Sequence, residues 1–138
     1  MTGFFTSEIR EKGQRVGFTI TTLNGEKGIL AHINHKCPMK VGKYGVNIKD
    51  IDHIAVPSIV PSKPKEIVVI DEIGKMECLS PLFKKTLLST LNSGHPIIGS
   101  IALKGDPFIQ KIKKRSDLEL IHVSEENRDK LIDLFLLF

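Results

Sequence analysis

Glu66-Ile67-Val68-Val69-Ile70-Asp71-Glu72-Ile73-Gly74 is the stretch that decides the fold. Four β-prone apolar residues, Ile67 to Ile70, run straight into two adjacent carboxylates. A continuous apolar run of this length suits a strand buried on both faces, as in a parallel sheet. Open α/β sheets bind ligands beyond the C-terminal ends of their strands, which is where Asp71 and Glu72 fall. Successive strand side chains alternate, so the two acids are expected to point in different directions. One can then face a metal ion while the other faces a reacting water. The plainer account is a buried strand ending in two solvated acids.

Upstream, Pro61-Ser62-Lys63-Pro64-Lys65 cannot be helix and reads as a linker into this strand. Before it, Ile48, Ile51, Ile54, Ala55 and Ile59 recur at helical spacing, with Asn47 or Asp50 as the cap and Pro57 as a kink or stop. Residues 34–45 are loop-like and basic, with Lys36, Lys40 and Lys43 around Pro38, Gly42 and Gly45. Phe4-Phe5-Thr6-Ser7-Glu8-Ile9 is strand-like, Lys12-Gly13-Gln14 is a turn, and 15–22 is a second strand. Asn24-Gly25 is a strong hairpin signal, because both residues tolerate positive φ, and 27–33 is the return strand. The first 35 or so residues therefore predict an antiparallel β-meander.

Downstream, Ser80-Pro81 caps and opens a helix. Phe83, Leu87, Leu88 and Leu91 form its apolar stripe, and it ends near Ser93-Gly94. His95 to Ile101 is the next strand, and Asp106-Pro107 starts a short helix carrying Phe108, Ile109 and Ile112. Residues 118–123 read as a further strand. Ser124 then caps a final helix with Leu131, Ile132, Leu134 and Phe135. Such alternation implies right-handed crossovers and a parallel sheet. The central strand is expected to lie between parallel neighbours at 97–101 and 118–123.

The 138 residues leave room for one domain with one sizeable core. With 41% hydrophobic and 26% charged residues the chain has an ordinary globular composition. No apolar stretch approaches a membrane span and no signal peptide opens the chain, so no membrane partner is expected. Two cysteines, Cys37 and Cys78, give no disulfide framework, so a cytoplasmic location is the default. A net charge of +4 allows attraction to polyanions.

Gly3-Phe4-Phe5-Thr6-Ser7-Glu8-Ile9-Arg10, Tyr44-Gly45-Val46-Asn47, Ile70-Asp71-Glu72-Ile73-Gly74-Lys75-Met76-Glu77 and Glu126-Asn127-Arg128-Asp129 together carry a family resemblance. On them the chain resembles the RecA-like P-loop nucleoside-triphosphatases that include thermophile members and a cancer-related human one. The third segment is the most specific and resembles that family's Walker B strand. The first looks like the strand that follows the family's P-loop helix.

The resemblance implies a mostly parallel α/β sheet flanked by helices, and hydrolysis of ATP or GTP to diphosphate and phosphate with Mg²⁺. It implies nucleotide binding along Ile67, Val68, Val69, Ile70, Asp71, Glu72, Ile73 and Gly74. Asp71 would hold the magnesium through its carboxylate or a bound water, and Glu72 would orient or deprotonate the attacking water. Lys75, Lys104 and Arg128 are candidate phosphate-facing cations, although a surface charge accounts for each equally well. Glu8 and Arg10 either line the same crevice or are exposed strand ends.

One departure outweighs the matches. The family begins with a strand, a Gly-rich P-loop ending in Gly-Lys-Ser/Thr, and a helix. No G-x-x-x-x-G-K-[ST] occurs in these 138 residues. Gly94 to Gly99 has the glycine spacing, but Ser100 stands in place of the lysine, and Gly42-Lys43 has Cys37 where the first glycine belongs. A P-loop cradles phosphates with backbone N–H groups and a lysine. Residues 1–138 thus read as a single, N-terminally truncated nucleoside-triphosphatase domain. An apolar groove is expected beside the central strand, open to a partner or to self-association. The alternative reading is a non-catalytic scaffold or nucleic-acid-associated module derived from that family.

Two rival constellations complete the reading. His32, His35 and Cys37, with Cys78 as a distant fourth, match no strong zinc signature. The basic loop 36–43 and the run Lys111, Lys113, Lys114, Arg115 could contact nucleic acid. One tyrosine and no tryptophan supply a base-stacking platform poorly, so a solvated basic face is the stronger account.

Overall fold

The computed structural model describes residues 1–130. Its sheet starts from local turn chemistry. Strand β1 (Thr2–Glu11) returns as β2 (Gln14–Thr22) through Lys12-Gly13, both at positive φ (50° and 77°). That backbone matches the twist of the strands it joins. A second turn at Asn24-Gly25 leads into β3 (Lys27–His32), and both pairings are antiparallel. Part of the basic region read as loop forms a small hairpin, β4 (Lys40–Val41) with β5 (Tyr44–Val46), and β5 pairs with β3.

Helix α1 covers 48–58: a first turn at Ile48–Asp50, a π-helical Ile51–Ala55 and a last turn at Val56–Ser58. Asn47 caps it, its side-chain oxygen accepting the Asp50 N–H at 3.1 Å. Asp50 Oδ2 in turn accepts the Ile29 N–H at 2.9 Å, fixing the helix to β3.

The chain then enters β6 (Val68–Ile73), crosses through α2 (Pro81–Leu91) and returns as β7 (Ile97–Ile101). Among the described residues the seven strands lie in the order β4-β5-β3-β2-β1-β6-β7. Strand β6 is parallel to both neighbours, with Phe4 opposite Ile70 on one side and Gly99 opposite Ile70 on the other. Val68 and Ile70 are fully buried, as the apolar run predicts. The neighbours differ from the expected pair. Strand β1, not 118–123, flanks β6, and residues 118–123 form no strand ladder. The sheet is also not mostly parallel. Only β1–β6 and β6–β7 are parallel, two pairs of six, because the tight turns of the first half can join only antiparallel strands.

The core gathers Phe4 and Ile20 from the meander, Ile51 and Ile59 from the α1 region, Val68 and Ile70 from β6, and Phe83 and Leu87 from α2. Phe4 and Phe83 meet edge to face with ring centroids 6.1 Å apart. On α2 the fully turned-in positions are Phe83, Leu87 and Thr90, while Leu88 and Leu91 are only half-buried. Thr90 is tolerated there because its hydroxyl donates to the Ile59 carbonyl at 2.8 Å. The short helix α3 (Pro107–Lys113), capped by Asp106, seats Ile109 and Ile112. Residues 128–130 are helical; Leu131, Ile132, Leu134 and Phe135 lie outside the described residues. No helix among the described residues is long and apolar enough to cross a membrane.

Ser80 is the joint between β6 and α2. It is fully buried, accepts the Phe83 N–H at 3.0 Å and donates to Asp52 Oδ1 at 2.5 Å. Ser80→Ala removes a cap and leaves the Asp52 carboxylate short of a partner. Urea denaturation should show a loss of about 1–3 kcal/mol. A loss below a few tenths would mean that the cap contributes nothing.

Candidate active site

Strand β6 buries Val68 and Ile70 and half-buries Val69, exposes Asp71 and Glu72, and is buried again at Ile73. Simple alternation would have buried one of the two acids. The register against β7 slips between Ile70 and Ile73, so that Ile73 faces Ile101 and both acids emerge at the C-terminal mouth of the parallel strands. The Asp71–Glu72 peptide bond is cis. The two carboxylates face different neighbours. Asp71 leans to β7, where its Oδ1 accepts the Ser100 hydroxyl at 2.6 Å. Glu72 leans to the turn that follows. A methyl group placed on Gly74 would lie 2.9 Å from Glu72 Oε1 and 2.8 Å from Glu77 Oε2. A side chain at position 74 would have to displace one or both of these carboxyls.

Glu77 closes this turn from beneath. It is 3% exposed, and its Oε2 accepts the Gly74 N–H at 3.0 Å. Burial, with the neighbouring Glu72 charge second, pushes its carboxyl up to about 8. Partial burial of its own carboxyl, followed by the Asp71 charge, also raises Glu72 above its ordinary value. Behind Glu77, burial lifts the Cys78 thiol to about 12, so Cys78 is an inert core residue.

The other sequence candidates fall in three places. Lys75 is exposed just after β6, and Lys104 is exposed beyond the end of β7, both on the C-terminal side of the parallel strands. Arg128 is exposed on the helical residues 128–130, its Nε 4.0 Å from Asp129 Oδ1. Glu8 and Arg10 pair with each other at 2.9 Å on the outer stretch of β1, and Arg15 joins Glu8 at 3.4 Å. Val68, Ile70, Ile73 and Gly74 are buried, and Ile67 and Val69 half-buried, so of that run Asp71 and Glu72 alone are exposed. Among the described residues no three His, Cys, Asp or Glu side chains are grouped so as to hold one metal ion. Cys37 instead donates to the Met39 and Val46 carbonyls, while Cys78 lies in the core.

Sequence reasoning gave no role to Ser100 or Glu77. The signal for Ser100 is its place at the end of the strand beside β6. For Glu77 it is a lone acid three residues after a glycine, just before the Cys78-Leu79-Ser80 turn into α2.

The donor set fits magnesium. An exposed carboxylate with a hydroxyl beside it offers hard oxygen ligands. Mg²⁺ is commonly held by one or two carboxylates together with substrate phosphates, rather than by an all-protein cage.

The fold is thus an α/β sheet whose parallel strand β6 delivers a carboxylate pair to its C-terminal mouth. The model of the family described as NTPase matches residues 1–136. The chain is 43% identical over 132 residues to nucleoside-triphosphatase THEP1 of Thermotoga sp. (strain RQ2), covering 95% of this chain and 76% of that one. It is 36% identical to the human cancer-related nucleoside-triphosphatase, over 94% of this chain and 76% of the relative. The crystal structure of THEP1 from Aquifex aeolicus superposes with a TM-score of 0.88 at 28% identity, covering 99% of this chain and 81% of that one. The solution structure of the human protein gives 0.80 at 34% identity, over 99% and 80%. This chain belongs to the NTPase family.

Proposed function

We propose that this chain supplies the metal and water side of nucleoside-triphosphate hydrolysis, ATP or GTP giving the diphosphate and phosphate. The observation that carries the reading is the exposed pair Asp71–Glu72, one acid held by Ser100 and the other turned over Gly74. Asp71 would hold Mg²⁺, which when bound neutralises developing charge on the β- and γ-phosphate oxygens. Glu72 takes the proton of the attacking water, and its raised pKa brings it nearer to the water-derived proton it must accept. Ser100 fixes the Asp71 carboxylate. Lys75, Lys104 and Arg128 are the candidate phosphate-facing cations, all three exposed.

Phosphoryl transfer is almost entirely positioning and charge stabilisation. The 138 residues carry acids for the metal and water but no phosphate-cradling loop. The chain by itself should therefore show magnesium-dependent NMR shifts at Asp71, Glu72 and Ser100, with turnover at least about 10³-fold below the Thermotoga relative assayed in parallel. Magnesium shifts confined to other residues would sink the site. Turnover at the relative's full rate would show that no separate cradle is needed.

A further inference from the structure

Among the described residues Glu77 is the one buried acid, and the reaction proposed above gives it no task. A carboxyl taken out of water costs stability unless it is hydrogen-bonded. Here its Oε2 accepts the Gly74 N–H at 3.0 Å, while the Cys78 N–H donates to the Gly74 carbonyl at 3.0 Å. The turn after β6 is therefore closed on both sides of one buried glycine. The Gly74 N–H lies out of water and needs an acceptor. Two carboxyls stand beside it. Chain neighbours aside, the three heavy atoms nearest to the point where a Gly74 side chain would begin are Glu77 Oε2 at 2.8 Å, Glu72 Oε1 at 2.9 Å and Glu72 Cγ at 3.2 Å. Both acids lie against the same glycine, and Glu77 holds its N–H.

We infer that Glu77 is a positioning residue: by occupying the Gly74 N–H it keeps the Glu72 carboxylate free to take a proton from water. The task of Glu72 rests on the hydrolysis reading above; the competition for the N–H does not. A carboxylate that accepts a backbone N–H is stabilised in its charged form and is a weaker base. Without an acceptor at position 77, Glu72 turns down onto Gly74, because a buried N–H left unpaired is costly. Glu77 thus leaves the lone pairs of Glu72 unspent. A purely structural brace would only have to fill the space under the turn. An apolar side chain of similar size does that and accepts nothing, which separates the two accounts.

The test is NMR on the 138-residue chain. It reads the scalar coupling that passes through a hydrogen bond, from the Gly74 amide nitrogen to the carbon of its acceptor. In the wild type that carbon should be the Glu77 carboxyl. In Glu77→Gln it should be the side-chain carbonyl at position 77, with Glu72 unmoved. In Glu77→Leu and Glu77→Ala the acceptor should switch to the Glu72 carboxyl. The magnesium-dependent shift at Glu72 should then fall at least about threefold, while that at Asp71 stays and Glu77→Gln keeps both. Coupling from Gly74 to Glu72 in the wild type overturns the inference, and that reading needs no variant. So does a folded Glu77→Leu or Glu77→Ala chain in which Glu72 neither takes the N–H nor changes its magnesium shift. A switch of acceptor in a chain whose Asp71 never responds to magnesium supports the hold of Glu77 on Gly74 and counts against the hydrolysis reading.

Discussion

Glu72→Gln, made in a chain joined to the strand, P-loop and helix of a close relative, should lower kcat by about 10²- to 10⁴-fold. Nucleotide affinity should change less than about threefold. The amide keeps the shape of the carboxylate and its place over Gly74, but it cannot take a proton from water. Asp71 and its Ser100 contact remain, so the metal side stays intact. Loss of kcat with an unchanged binding constant marks an interaction made in the transition state. An active Glu72→Gln protein would remove Glu72 from the chemistry and leave it as a surface acid. Equal losses in binding and turnover would instead place it among the groups that hold the nucleotide.

Glu77→Gln should change the pH dependence of stability in the opposite direction from most carboxylate substitutions. The folded state raises Glu77 from 4.5 to about 8, so it binds the proton more tightly than the unfolded chain does. Its contribution is complete below about pH 4.5 and is lost as pH rises toward 8. At about 1.4 kcal/mol per unit, the folded protein should lose on the order of a few kcal/mol across that window through this one group. Glutamine is neutral at every pH and keeps an oxygen for the Gly74 N–H. Wild type and variant should therefore be similarly stable near pH 5, with the variant more stable by a few kcal/mol at pH 9. Urea titrations at pH 5, 7 and 9 read the difference directly. Carboxylates held below their usual values, Glu8, Glu66 and Asp117, act in the other direction but cancel in the comparison. Parallel curves for the two proteins would show that Glu77 titrates like a solvated acid.

The proposed magnesium-site and water-site roles rest on a few residues that the sequence already set apart. Four apolar residues ending in two acids are a local pattern, and local patterns survive without knowledge of partners. The same holds for the helix starts at Ser80 and Asp106, whose side chains cap the backbone three residues on, and for the turn at Lys12-Gly13. What the sequence by itself determined is therefore the existence of β6, the exposed acids at its end and the punctuation around it.

Tertiary structure decided the pairings. An alternating run such as 118–123 states which face could be buried, but a ladder needs a second strand at hydrogen-bonding distance, and 118–123 pairs with none among the described residues. The sheet is not mostly parallel because 118–123 adds no parallel pair, while the turn-linked first half, expected as an antiparallel meander, extends into a further hairpin. Glu77 and Ser100 gained their places only when the β6 turn folded over one and β7 aligned the other with Asp71. A buried acid and a strand-end serine look in sequence like any surface residue. Their character comes from the desolvation and neighbours that folding supplies.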